Sequence, residues 1–109
     1  MSKTIRLDQN RLDEIIQRIV KVAKPDRIIL FGSAARGQMG PDSDVDLMVV
    51  KSGEFHRGRL TEEIYMNLFG AGQAVDIVVV TPEDIEQYRD SPALVIKRAL
   101  EQGRTVYAA

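Results

Sequence analysis

Arg27–Val50, RIILFGSAARGQMGPDSDVDLMVV, is the stretch on which the reading of this chain turns. It opens with an apolar run, Ile28 to Phe31, and bends at Gly32-Ser33 into the small-residue segment Ala34-Ala35-Arg36-Gly37. A polar, turn-rich loop from Gln38 to Ser43 follows. Asp44 and Asp46 then head a second apolar run, Val45 to Val50. Gly32 permits a tight turn and the close approach of a ligand to the backbone. Ser33 and the amides after it open a short helix, where unpaired N–H groups and the helix dipole favour an anion such as phosphate. On a strand, residues two apart share a face, roughly 6.5–7 Å apart. Two carboxylates that close resist joint ionisation unless a cation sits between them. Mg²⁺ suits such a pair, because it takes one or two carboxylates together with substrate phosphates. A phosphate cradle followed by paired carboxylates indicates a metal–nucleotide site.

Two other motifs fail on this stretch. Gly32 to Gly37 has the glycine spacing of a P-loop, but Gln38 and Met39 replace the Lys and Ser/Thr that it needs. Asp42, Asp44 and Asp46 resemble the start of an EF-hand loop, but Leu47 stands in place of the turn glycine and Gly53 in place of the bidentate Glu. An ordinary hairpin loop with solvated acids is disfavoured, because Asp46 lies between Val45 and Leu47, where an unpaired charge is costly.

Outward from this stretch, the pattern alternates between helix and strand. From Asp8, a plausible N-cap, Leu12, Ile15, Ile16, Ile19, Val20 and Ala23 form one apolar stripe that ends at Pro25. Before it, Ile5 and Leu7 are expected to cover part of the core. Asp26 to Phe31 reads as the first strand. Arg36 is either a phosphate contact or a surface arginine. His56, the only histidine, reads as an exposed loop residue. Leu60 to Phe69 reads as a helix with Leu60, Ile64 and Leu68 toward the core, widened by Tyr65 and Phe69, with Met66 off the stripe. That is more apolar surface than one helix of a small domain needs, and the reading favours extra core over a partner-binding face.

Gly70-Ala71-Gly72 stops that helix, and Ala74 to Val80, AVDIVVV, is a strand of the kind covered on both faces. Asp76 interrupts it, and an isolated buried Asp would cost several kcal/mol in practice, so it either shares a metal with Asp44 and Asp46, the favoured reading, or takes an edge position open to water. The connection between Val50 and Ala74 permits parallel pairing, which would bring Asp76 beside Asp46. Thr81-Pro82 and Ser91-Pro92 are helix-start signals. Gly103 is the expected C′ residue of the last helix. Arg104 to Ala108 reads as a final edge strand, with Tyr107 in a packing or capping role.

Composition narrows the function classes. The 109 residues fit one domain, 1–109, with 44% hydrophobic and 28% charged residues. Fifteen basic against sixteen acidic side chains give net −1, so direct nucleic-acid binding through bulk positive charge is not expected. The absence of cysteine excludes disulfides and thiolate zinc sites and is compatible with a reducing cytoplasm. No apolar run approaches a membrane span.

Gly32-Ser33-Ala34-Ala35-Arg36-Gly37, with Ser43-Asp44-Val45-Asp46-Leu47 after it, resembles the signature of the DNA polymerase β-like nucleotidyltransferase superfamily. The GSxARG and SDxDL variants resemble its minimal nucleotidyltransferases (MNT proteins), the MntA-like antitoxins of HEPN/MNT toxin–antitoxin systems. The resemblance implies an α/β (α+β) fold: a small mixed sheet of three to four strands, helices packed mainly on one side, and the acids near the starts of their strands. It implies that Gly32 and Ser33, with Arg36, bind the phosphates of a nucleoside triphosphate, expected to be ATP. Asp44, Asp46 and Asp76 would be the catalytic triad and would bind two Mg²⁺ ions. The implied reaction transfers AMP to a hydroxyl of a protein, a tyrosine of a co-encoded HEPN-family toxin. The alternatives are a non-catalytic antitoxin acting by stoichiometric binding and a small-molecule nucleotidyltransferase. The chain ends soon after the core, so the acceptor surface is expected from a partner.

Overall fold

The computed structural model describes residues 7–38, 43–91 and 94–109. Ile5, most of the loop after Gln38 and Pro92 of the second start signal lie outside the described residues. In chain order the elements are α1 (Gln9–Ala23), β1 (Arg27–Phe31), α2 (Gly32–Ala35), β2 (Val45–Val50), α3 (Arg57–Leu68), β3 (Val75–Val80), α4 (Pro82–Tyr88), α5 (Val95–Gln102) and β4 (Arg104–Ala108). The strands form one mixed sheet in the order β3-β2-β1-β4. β1 is antiparallel to β2 and to β4, while β2 and β3 run parallel.

This topology follows from the sequence patterns. α1 begins where the Asp8 side chain accepts a hydrogen bond from Asn10 N at 2.9 Å, and it ends in Lys24 at φ 45°, just before Pro25. Its stripe of Leu12, Ile15, Ile16, Ile19 and Ala23 is buried. β2 is central and covered on both faces, which suits its apolar run. Alternation sends Val45, Leu47 and Val49 into the larger core, under α1 and α3. Met48 and Val50 join Ile29, Phe31, Val80 and Ile96 in a smaller core, under the short helices α4 and α5. The main helical layer therefore lies on one face, as expected, and a thinner one covers part of the other.

Three local expectations are revised. α3 starts at Arg57 rather than Leu60, because His56 is its N-cap and its Nδ1 accepts from Arg59 N at 3.0 Å. Tyr65 and Phe69 do not widen the core stripe: they are 41% and 89% exposed, and Met66 is 73% exposed. Extra core is thus the wrong account of that apolar surface. Gly103 ends α5 with an extended φ of −89°, not a left-handed one. Glycine is required there for space, since a Cβ would strike Ala99 O and come within 2.7 Å of Leu30 O. β4 is an edge strand spanning the expected Arg104–Ala108, and Tyr107 packs against the larger core.

Candidate active site

The site is assembled by pairing. β1 is antiparallel to β2, so the end of β1 lies beside the start of β2, with Phe31 opposite Asp46. The turn at Gly32-Ser33, which opens α2, is thereby placed against the acids. β3 runs parallel to β2 in a register that sets Asp76 directly beside Asp46. Register partners on neighbouring strands point to the same face, so Asp46 and Asp76 share one, together with Met48 and Val78 further along. Asp44 stands one residue before β2, two before Asp46. The two parts of the chain that carry the three aspartates therefore meet, at the starts of β2 and β3.

Gly32 is fitted to Asp46. Its φ is +73°, and a Cβ there would collide with Asp46 Oδ2. Only a residue without a side chain lets the turn press this closely on the carboxylate. Asp46 is half-buried between Val45 and Leu47, both 0% exposed. Burial pushes its carboxyl above the ordinary range, and the nearby charges of Asp76 and then Asp44 push it in the same direction. Arg98 and Arg36 partly offset this. Arg36, which closes α2, donates from Nε to Gln38 Oε1 at 3.2 Å and from Nη1 to Gln102 Oε1 at 3.4 Å. It is exposed, tied across to α5 and near enough to Asp46 to act on its charge. Ser33 is half-buried in the first turn of α2.

Two residues of the site escaped the sequence reading. Arg98, on α5, is the largest of the opposing positive influences on Asp46. Tyr65, on α3, holds Asp76 in place. Its hydroxyl donates to Asp76 Oδ1 at 3.3 Å and accepts from Ile77 N at 2.8 Å. β3 is an edge strand, and this phenol occupies an N–H that would otherwise be exposed. Neither role has a signal in the sequence, since both depend on which elements become neighbours.

Among the described residues, no three His, Cys, Asp or Glu side chains are gathered closely enough to hold a metal ion alone. The donor set nonetheless fits a hard divalent cation: the candidate donors are carboxylate oxygens, and Asp46 is pushed upward by burial first and then by the like charges of Asp76 and Asp44, which a cation would offset. Mg²⁺ takes few protein ligands and completes its shell with water and substrate phosphates. Three concavities, of about 670, 540 and 420 Å³, lie along α4 and α5. Two are lined by one acid each, Asp26 or Asp84, and the third by Glu83 and Glu86; none is lined by Asp44, Asp46 or Asp76. No described helix is long and apolar enough to cross a membrane.

Comparison with known proteins agrees with this fold. A Sulfolobus solfataricus protein classed as a nucleotidyltransferase superposes with TM-score 0.62 at 18% identity, covering 91% of this chain and 78% of the other. A toxin–antitoxin structure with AMP-PNP gives TM-score 0.58 at 21% identity, covering 94% and 75%. The complex of a tri-AMPylated Shewanella oneidensis HEPN toxin with its MNT antitoxin gives TM-score 0.57 at 20% identity, covering 94% and 74%. These likenesses establish the polymerase β-like nucleotidyltransferase fold. No curated protein matches the chain. Residues 10–106 match the nucleotidyltransferase domain family, which spans the whole site from Gly32 to Asp76, and the chain belongs to that family.

Proposed function

We propose that this protein is a Mg²⁺-dependent adenylyltransferase that moves AMP from ATP to a tyrosine hydroxyl of a HEPN-family toxin and so silences it. The observation that carries the reading is the register of β2 and β3, which sets Asp46 beside Asp76 next to the Gly32-Ser33 turn. A purely structural surface has no use for like charges placed together, whereas nucleotidyl transfer needs them. The solved structures with AMP-PNP and with an AMPylated toxin support ATP as donor and a HEPN protein as acceptor.

In this reading Asp44 and Asp46 would hold two Mg²⁺ ions, with Asp76 completing one site. The ions would supply charge neutralisation at the phosphates and a lowered pKa for the acceptor hydroxyl. Gly32 and Ser33 would bind the β- and γ-phosphates through backbone N–H groups and the serine hydroxyl. Arg36 would add a positive contact to the phosphates. Asp76 would take the proton of the acceptor hydroxyl. Its Oδ1 is engaged by Tyr65, which leaves Oδ2 as the oxygen available for that work. The acceptor oxygen would bond to the α-phosphorus, the bond to the β-phosphate oxygen would break, and pyrophosphate would leave.

The test is incubation with labelled ATP, Mg²⁺ and the HEPN-family protein encoded nearest to this chain in its genome. Transfer predicts label on that protein with wild type and none with Asp44→Ala. Equal labelling by both, or none by either, would reject it. Neutralisation of the toxin that survives in Asp44→Asn/Asp46→Asn would instead establish stoichiometric binding.

A further inference from the structure

Four large apolar side chains stand exposed among the described residues, and three of them cluster at the end of α3. These are Tyr65, Met66 and Phe69, exposed by 41%, 73% and 89%. At about 100° per residue, Glu62, Tyr65, Met66 and Phe69 form one stripe, opposite the buried stripe of Leu60, Ile64 and Leu68. The helix is thus apolar on two sides, and only one of them meets the core. The outer stripe is held rigid from below. Arg18 Nη1 donates to the carbonyls of Asn67 and Phe69, both at 3.1 Å, and Asn67 Nδ2 donates to Arg18 O at 2.8 Å. A contact surface fixed before binding loses little conformational freedom when it is covered.

Its position relative to the acids is informative. Tyr65 belongs both to this stripe and to the site, through its bond to Asp76. The stripe therefore continues into the reacting acids along the β3 edge. The positive charges near Asp46, Arg36 and Arg98, come from the end of α2, which packs against β2 and β1, and from α5, which packs against β1 on the far side of β2 from β3. The outer face of α3 carries Glu62, Glu63 and Arg59, all exposed and in no ion pair among the described residues, while Arg57 is paired with Asp84; with the exposed Asp76 beside them, acids outnumber arginines on this flank. A triphosphate is drawn to the arginine side and repelled from the glutamate side. The two flanks of the acids thus suit different reactants.

We propose that the Tyr65–Met66–Phe69 face of α3 docks the acceptor protein, through a segment with an apolar anchor flanked by Lys or Arg. The proposal rests on the transfer reading above for the identity of that protein, but its test reads binding separately from transfer. Met66→Asp/Phe69→Asp changes two outward side chains and leaves the core intact. The measurements are affinity for the HEPN-family protein, affinity for AMP-PNP with Mg²⁺, and label transfer. The double variant should bind AMP-PNP as wild type does, while its Kd for the HEPN protein rises by about 30-fold or more. Glu62→Lys/Glu63→Lys should weaken the same binding several-fold, and less so at high salt. Unchanged binding of the HEPN protein by both variants overturns the proposal. So does a wild-type chain that sediments as a dimer and becomes monomeric in Met66→Asp/Phe69→Asp, since the face would then join two copies. Loss of HEPN binding in the variants with no labelling by wild type would reject the transfer reading and leave the docking face supported.

Discussion

Replacing Asp46 with Asn should stabilise the protein in the absence of metal and remove its response to metal. The side chains are nearly equal in size, so the half-buried position keeps its packing. What changes is the charge. The β2–β3 register places Asp46 and Asp76 on adjacent strands, about 4.8 Å apart at the backbone. Two unit charges about 5 Å apart repel by about 0.8 kcal/mol in water and by about 3 kcal/mol at an effective dielectric constant near 20. Asp76 is solvent-exposed, which favours the screened end of that range, so about 1 kcal/mol is expected. For a domain of this size that corresponds to a rise of about 4 °C in Tm. The sign of the pH dependence follows from the raised carboxyl of Asp46. The stability contributed by a raised acid is present below the ordinary carboxylate range and lost as pH rises through its folded value. The advantage of Asp46→Asn should therefore vanish in acid and grow toward neutral pH. Thermal melts across pH, with and without Mg²⁺ and AMP-PNP, read all of this. Wild type should gain stability with Mg²⁺ and the nucleotide together, and Asp46→Asn should gain little. A variant that melts lower than wild type at neutral pH, or that responds to Mg²⁺ equally, would refute the account of the acids as a repelling set awaiting a cation.

Three further outcomes follow from the geometry. Gly32→Ala imposes a left-handed backbone on a Cβ residue, at about 1–2 kcal/mol, and drives that Cβ into Asp46. It should lower Tm by several degrees and weaken AMP-PNP binding, and nucleotide binding of wild-type strength would contradict the role of the turn. Tyr65→Phe removes the hydroxyl bonded to Asp76 and Ile77 but keeps the ring. It should cost about 1 kcal/mol in melts and lower kcat/KM for AMP transfer by about 10-fold, with AMP-PNP affinity nearly unchanged. Asp26 has the opposite sign to Asp46: hydrogen bonding from the Ser52 side chain and then its N–H holds the carboxyl below its ordinary value. Asp26→Asn should destabilise at neutral pH, and the difference should disappear as pH falls through the folded value, as melts from pH 2 to 7 would read.

Much of this site could be read before any coordinates, for identifiable reasons. Strand alternation and register bring Asp46 and Asp76 to one face, whereas Asp44 stands just before β2, where strand alternation does not fix its side chain. An acid inside AVDIVVV suggests a charge in buried surroundings, but β3 is an edge strand and Asp76 is exposed there, so that premise is corrected, while the expected pairing beside Asp46 is present. Parallel pairing across the α3 crossover then needed only the correct register. What stayed hidden depends on the third dimension. Tyr65 is a ring near a core stripe in the sequence, and nothing local reveals that its hydroxyl reaches an edge strand eleven residues on. Arg98 looks like any helix-surface arginine until α5 is laid near β1. The cap at His56 was missed because histidine is an uncommon N-cap, and the bond that makes it one is a matter of ring orientation. Gly103 was identified as a helix end, but the crowding against β1 that demands glycine there is a packing fact.

The most direct test of the central claim is diffraction at the manganese edge from crystals grown with Mn²⁺ and AMP-PNP. The account predicts two anomalous peaks about 3.5–4 Å apart, both touching Asp44 and Asp46, one also touching Asp76, with the triphosphate on Gly32 and Ser33. Manganese bound away from these aspartates, or a nucleotide seated elsewhere with Asp76 contacting no ion, would contradict it.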